Sequence, residues 1–235
     1  MIPKIIHYCW FGRGEKPKLA TKCIHSWKKY CPDFEIIEWN EDNFDIDSYP
    51  YAKYCYDNQK WAFLSDFVRL AVVRKYGGIY FDTDVELLKP IDHLLDYDAF
   101  YGFEIQEKVN TGQGFGAIPE HKTVVSMYQK YMDLSADENN QYPLVTCPKL
   151  NTEPLVEMGL KLDDTFQVIE GAAILPSDYM NPYDDPTGRL SKTKNTISIH
   201  WYSKSWLDKK AIIRSILTKP FHRIFGNDCF DWLKK

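Results

Sequence analysis

Residues 60–90 read KWAFLSDFVRLAVVRKYGGIYFDTDVELLKP, and this stretch decides the fold. Trp61, Leu64, Val68, Ala71, Val72 and Tyr76 recur at three- and four-residue intervals, the period of an amphipathic helix. Gly77-Gly78 marks the end of that helix, because glycine takes a left-handed cap without a Cβ clash. Ile79-Tyr80-Phe81 then reads as a short buried strand that delivers Asp82-Thr83-Asp84 at its carboxyl end. Ligands of open α/β sheets bind in the crevice outside such strand ends.

Upstream, the β-rich apolar run from Ile2 to Gly12 reads as a buried first strand. Pro17 starts a helical stretch with Leu19, Cys23, Ile24 and Trp27 on one face, Cys31-Pro32-Asp33 is a turn, and Phe34 to Trp39 is a second strand. Strand, helix, strand is the opening of a parallel α/β sheet. Downstream, 99–103, 166–169 and 197–201 are predicted strands and 123–134 a helix. Pro, Asn and Asp are frequent in 135–164 and 177–196, which are expected to form long acceptor-side loops or short helices.

A chain of 235 residues that is 44% apolar can bury a full core, so one domain with decorations is expected. Its 16 Tyr and 7 Trp suit core packing first, and stacking on sugar rings and bases second. The cysteines at 9, 23, 31, 55, 147 and 229 form no Cys-x-x-Cys pair, and no signal peptide is visible, so they read as reduced thiols of a cytoplasmic protein. No apolar run approaches the ~20 residues that span a bilayer.

The net charge of -4 is unevenly spread: residues 209–235 carry +5 and the remainder -9. This predicts a domain over 1–208 followed by a basic amphipathic tail over 209–235, and argues against a nucleic-acid-binding fold. In the tail Ile212, Ile213, Ile216, Leu217, Phe221, Ile224 and Phe225 are interspersed with Lys209, Lys210, Arg214, Lys219, His222 and Arg223. Such a segment either packs onto the domain or holds it at an anionic membrane, at the inner face of which the protein would then act. Pro220 is expected to break it into two short helices.

Two carboxylates at i and i+2 on an extended segment point the same way, so Asp82 and Asp84 can face one divalent cation. Mg²⁺ or Mn²⁺ bridging a nucleoside diphosphate neutralises the charge that builds up as a sugar departs. Asp-x-Asp alone is common on acidic loops; its place after an apolar strand is what points to a ligand. Asp66 and Arg69 share a helix face, as a structural ion pair or a substrate clamp, and Trp10 is a core residue or a base-stacking platform. A haloacid-dehalogenase-type phosphatase also ends a strand in Asp-x-Asp, with Asp163-Asp164 or Asp184-Asp185 as further metal acids, but its motif opens the domain, whereas a strand and helix precede it here. A non-enzymatic carbohydrate-binding module would read as a β-sandwich.

Ile2 to His7 through Trp10-Phe11-Gly12, Ser65 to Arg69 through Tyr76 to Asp84, and His200 with Ser205-Trp206 resemble glycosyltransferase family 32, the sugar-binding, Asp-x-Asp-containing transferases. That family takes in fungal outer-chain mannosyltransferases and bacterial capsule transferases, and is related to large clostridial glucosylating toxins. The resemblance implies a GT-A type fold, with a Rossmann-like, mixed but mostly parallel sheet flanked by helices, and transfer with retention of anomeric configuration. It implies that Trp10 stacks on the base, that Asp66 and Arg69 contact the donor sugar and phosphates, and that Tyr80 borders the nucleotide. It further implies that Asp82 binds ribose or a water-bridged metal, that Asp84 ligates Mn²⁺ or Mg²⁺, and that His200 is the carboxy-terminal metal or diphosphate ligand, where the toxins carry a carboxylate. Ser205 and Trp206 would close over the diphosphate, and Asn110 to Ala117 resembles the region lining the donor sugar. The donor would be a nucleoside diphosphate sugar, UDP-hexose favoured, and the acceptor a saccharide or lipid-linked saccharide.

Overall fold

The computed structural model describes residues 1–203, 209–226 and 229. It opens as expected, with strand β1 (Ile5–Cys9), helix α1 (Lys18–Tyr30) and strand β2 (Glu35–Trp39), then helices α2 (Pro50–Asp57) and α3 (Trp61–Tyr76) leading into β3 (Gly78–Tyr80). β1 lies between β2 and β3 and is parallel to both. A strand in that position is covered on both faces, and its side chains divide accordingly. Ile6 and Tyr8 enter the core beneath α1 with Cys23 and Trp27, while Cys9 enters the core formed with Leu64, Val68 and Val72 of α3.

The chain continues through β4 (Val85–Leu87), β5 (Ala99–Ile105), β6 (Lys108–Val109), β7 (Phe115–Ala117), α4 (Lys122–Met132), α5 (Cys147–Glu157), β8 (Gln167–Ile169), β9 (Ala172–Leu175), α6 (Ser177–Met180), β10 (Tyr183–Asp184), β11 (Arg189–Leu190), β12 (Ser198–His200) and α7 (Lys209–Phe225). The main sheet has the order β2-β1-β3-β7-β5-β9-β8, with β6 folded back on β5. β7 is antiparallel to both β3 and β5, β9 is parallel to β5, and β8 is antiparallel to β9. Strands β1, β2, β3, β5 and β9 therefore run one way and bring their carboxyl ends to one edge. This is the mixed, mostly parallel, helix-flanked sheet that the resemblance implied.

His7 fastens the centre of the sheet. Trp39 Nε1 donates to His7 Nδ1 at 3.1 Å, which leaves the ring proton on Nε2 to be donated to the Gly77 carbonyl at 2.8 Å. Gly78, at φ +96°, passes so close that a Cβ there would lie 2.9 Å from His7 Nε2. Burial pushes the His7 pKa down to about 4, against the opposing pull of the Gly77 carbonyl. A histidine neutral when folded and protonated when unfolded withdraws stability as pH falls from 6.5 to about 4, by roughly 3 kcal/mol in all. His7→Gln keeps a donor for Gly77 but cannot titrate. Urea unfolding at pH 6.5 and at pH 4 should show the variant losing roughly 3 kcal/mol less than wild type over that interval. Equal losses would remove His7 from the acid response.

Residues 147–157, in a stretch expected to form long loops or short helices, form the 11-residue helix α5, whose first turn holds a proline with no donor to lose there. Two expectations change. Asp82-Thr83-Asp84 is not extended: Val85 N bonds the Asp82 carbonyl at 3.0 Å and closes a turn. Pro220 does not split the tail, because α7 runs unbroken from Lys209 to Phe225 around it. A proline removes its own backbone donor and crowds the preceding turn, which bends a helix without ending it when both flanks keep their bonds.

Candidate active site

The turn after β3 feeds the chain into β4, and β4 pairs antiparallel with β12 in a ribbon outside the main sheet. His200 stands opposite Val85 in that ribbon, and Trp201 N bonds the Asp84 carbonyl at 3.0 Å. Asp82, Asp84 and His200 consequently each offer a ligand atom, all within 4.8 Å of one another. His200 Nε2 lies 3.3 Å from Asp84 Oδ1, and Ser203 N donates to Asp84 Oδ2 at 2.7 Å. Burial acts to raise the Asp84 pKa, but His200 and the Ser203 N–H overcome it and hold the carboxyl well below its usual range. The same pairing raises His200 against the effect of its burial. His200 Nδ1 is buried with no hydrogen-bond partner among the described residues.

Arg69, 2% exposed, lies behind the turn. Its Nη2 is 2.8 Å from Asp66 Oδ1 and 2.9 Å from Asp82 Oδ1, so one guanidinium serves both carboxylates. Its Nε donates to the Ser65 carbonyl at 3.2 Å and its plane lies 4.9 Å from the centre of the Tyr80 ring. Tyr80, 1% exposed, donates its hydroxyl to Asp82 Oδ1 at 2.9 Å and so meets the site through Asp82. Burial pushes the Asp66 carboxyl up to about 6 even beside Arg69, and raises Asp82 as well. Two buried or half-buried carboxylates thus share one permanent cation. The Asp82 and Asp84 carboxylates and the His200 imidazole form an oxygen and nitrogen donor set that fits a divalent ion such as Mn²⁺.

The glycine-rich stretch lies against this cluster. Asp82 N bonds the Gly112 carbonyl at 3.0 Å, Gly112 N bonds Asn110 Oδ1 at 2.7 Å, and a Cβ on Gly112 would run into Asp82 Oδ2. The absent side chain is what lets the backbone approach.

The structure brings together Asp66, Arg69, Tyr80, Asp82, Asp84 and His200. Trp10 stands at the carboxyl end of β1 on the same sheet edge, partly buried, with Nε1 donating to the Gly14 carbonyl at 2.6 Å and Lys16 Nζ 5.6 Å from its ring. Ser205 and Trp206 lie outside the described residues. Sequence reasoning missed Cys147, whose thiol is 3.4 Å from Asn110 Oδ1 and 3.7 Å from Arg69 Nη1, and Asn151, which donates to Thr111 Oγ1 at 2.7 Å. It also missed Glu104, which accepts from Tyr202 OH at 2.9 Å and Asn110 Nδ2 at 3.1 Å, while the Tyr202 ring packs 4.1 Å from that of His200. An acid at the carboxyl end of β5 is the same signal that singled out Asp82.

The acids required by a phosphatase lie elsewhere. Asp163 bonds Thr165, Asp164 bonds Ser177 and Asp184 bonds Thr187, and none belongs to the group of candidate metal ligands. The α/β sheet likewise disposes of a β-sandwich module.

Residues 17–101 match the family described as "Glycosyltransferase sugar-binding region containing DXD motif". The chain is 35% identical over 103 residues to inositol phosphoceramide mannosyltransferase 3 of Schizosaccharomyces pombe, covering 42% of this chain and 29% of the relative. It is 28% identical over 218 residues to an uncharacterized glycosyltransferase of Acanthamoeba polyphaga mimivirus, covering 88% and 84%. A solved glycosyltransferase involved in glycosylation of the major capsid of PBCV-1 is 12% identical, covers 92% of this chain and 99% of its own, and superposes with a TM-score of 0.49. The chain thus spans less than a third of the length of the yeast enzyme. Both sequence relatives are named as transferases.

Proposed function

We propose that the protein is a metal-dependent, retaining glycosyltransferase that moves a hexose from a nucleoside diphosphate sugar, UDP-hexose favoured, to a saccharide or lipid-linked acceptor in capsule or other polysaccharide biosynthesis. The observation that carries this reading is the meeting of Asp82, Asp84 and His200 at the carboxyl end of β3. The sequence match to a sugar-binding region includes both aspartates of the motif. Asp84 and His200 would hold the ion directly, and Asp82, fixed by Arg69 and Tyr80, would reach it directly or through water. When bound, a divalent ion supplies positive charge to the departing diphosphate.

The chain's own groups supply the rest. Arg69 keeps the Asp82 carboxylate in one orientation and adds a fixed cation behind the phosphates. The Gly112 backbone, drawn up against Asp82, helps to hold that carboxylate in place. With the leaving phosphate taking the acceptor proton on the same face, retention needs no separate nucleophile. The named relatives include a transferase that acts on inositol phosphoceramide, which supports a lipid-bearing acceptor here. Cys9, Cys23, Cys31, Cys55 and Cys147 are buried thiols outside any disulfide, which supports work in the cytoplasm.

The deciding experiment is thermal unfolding with UDP-glucose, UDP-galactose, UDP-N-acetylglucosamine and GDP-mannose, each with and without Mn²⁺. A UDP-hexose with Mn²⁺ should stabilise the fold by about 2.7 kcal/mol at 100 times its dissociation constant. No stabilisation by any sugar nucleotide with Mn²⁺ would sink the reading. Trp10→Ala should weaken donor and free nucleoside diphosphate to similar degrees, by roughly 1–3 kcal/mol, since base stacking is present in ground and transition states alike. Unchanged affinity in calorimetry would return Trp10 to a packing role.

A further inference from the structure

Polar groups tie helix α7 to the strands before it. Lys219 Nζ donates to the Tyr183 hydroxyl at 2.8 Å and pairs with Asp185 at 3.2 Å, and Arg189 Nη2 donates to the Arg223 carbonyl at 2.9 Å. Ile213, Leu217 and Ile224 project elsewhere: at 100° per residue they fall within an arc of about 40°. They are 56%, 65% and 73% exposed, and Ile216 beside them is 60% exposed. Lys210 and Arg214 border this stripe on one side and Arg223 on the other, all exposed. The segment 209–225 contains no acidic residue.

Packing of the tail onto the domain, one of the two readings of its sequence, would bury these side chains, and the helix instead turns them outward. A contiguous apolar stripe of this kind needs a cover. A second copy laid against it would bring the flanking cations of the two helices together, an unfavourable arrangement. An anionic bilayer satisfies both parts, with aliphatic groups entering the acyl boundary and Lys and Arg meeting lipid phosphates. No described helix is long and apolar enough to cross a membrane, so the contact would lie in the interface plane.

We propose that α7 is an interfacial anchor whose Ile213–Leu217–Ile224 stripe enters the surface of an anionic bilayer. The anchor is tied to the site: Tyr183, which holds Lys219, packs its ring 5.4 Å from that of Trp201, the neighbour of His200. The strand carrying His200 is thereby coupled to the docked helix, which suits an acceptor presented from the lipid surface.

The test is co-sedimentation of the full chain with phosphatidylcholine vesicles, with and without phosphatidylglycerol. The protein should pellet with the anionic vesicles at low salt, far less at high salt, and not with neutral ones. A combined Ile213→Ser, Leu217→Ser, Ile224→Ser variant should bind about tenfold less or weaker still, with unchanged circular dichroism because the side chains are exposed. Asp84→Ala should bind vesicles like wild type, so that loss of docking and loss of transfer are read separately. Absence of binding at low salt, or equal binding by the triple variant, overturns the proposal. So does a wild-type dimer in sedimentation velocity that the triple variant abolishes, since the stripe would then belong to a second copy.

Discussion

Asp84→Ala should abolish transfer while the protein stays folded. Asp84 offers one of the site's two carboxylates, and it is the one not already engaged by Arg69. Stabilisation of a developing phosphate charge by a held divalent ion is worth several kcal/mol. Losing about 4 kcal/mol corresponds to roughly a thousandfold drop in rate. Removing the carboxylate also affects the metal-free fold, because Asp84 is held below its ordinary value of 3.8 by His200 and Ser203 N–H. A depressed carboxyl contributes stability above its unfolded pKa and loses it as pH falls, so the variant should be less stable at neutral pH and show a weaker acid transition. The strand behind it, with Ile79 and Tyr80 wholly within the core, keeps its packing. The checks are transfer from the preferred donor, Mn²⁺ binding by calorimetry and circular dichroism. A folded variant with near wild-type transfer would take Asp84 out of the mechanism.

The parts of this site that the sequence discloses are those built from local pattern. Helix α3, Gly77-Gly78 and the β3 strand stand in one stretch of chain, where helical period, a positive-φ cap and an apolar run can be read in order. The partnership of Arg69 with Asp66 is a spacing of three on that helix, and its second partnership, with Asp82, is not a spacing at all. The approach of His200 depends on the β4–β12 ribbon, a pairing of three-residue strands separated by more than a hundred residues, with no periodicity to announce it. Only the family resemblance put His200 beside the aspartates beforehand. Strands β7 and β9 escaped for a different reason. Gly116 and Ala117, and Ala172 and Ala173, lack the bulk that marks a buried strand, yet smallness is what the packing needs, since a Cβ on Gly116 would lie 2.5 Å from the Phe100 ring. Cys147 and Asn151 come from a helix in a region rich in loop-forming residues, so their contribution to the site became visible only once that helix was placed.

Arg69→Lys should lose transfer by roughly tenfold to a hundredfold and destabilise the protein, although it keeps the charge. Sequence spacing left two roles open for Arg69, an ion pair within α3 or a clamp on the donor, and the geometry shows the ion pair, extended to Asp82. The same Nη2 reaches Asp66 at 2.8 Å and Asp82 at 2.9 Å, while Nε holds the Ser65 carbonyl. A lysine ammonium has no planar fork and cannot occupy all of these positions from one rotamer. Each charge-assisted hydrogen bond to a buried carboxylate is worth about 1.5–3 kcal/mol, so loss of one accounts for about one to two decades of rate if the Asp82 orientation governs transfer. Asp66 would suffer as well: burial already pushes it up to about 6, and a weaker cation beside it would raise it further. Asp66→Asn separates the two effects, since it relieves the buried carboxylate but leaves Arg69 on Asp82. If orientation of Asp82 is what matters, Asp66→Asn should retain much more transfer than Arg69→Lys at comparable stability in urea. Equal losses of transfer in the two variants would mean that Arg69 acts only by holding the fold, and an Arg69→Lys variant with wild-type rate and donor affinity would reduce the pair to structure alone.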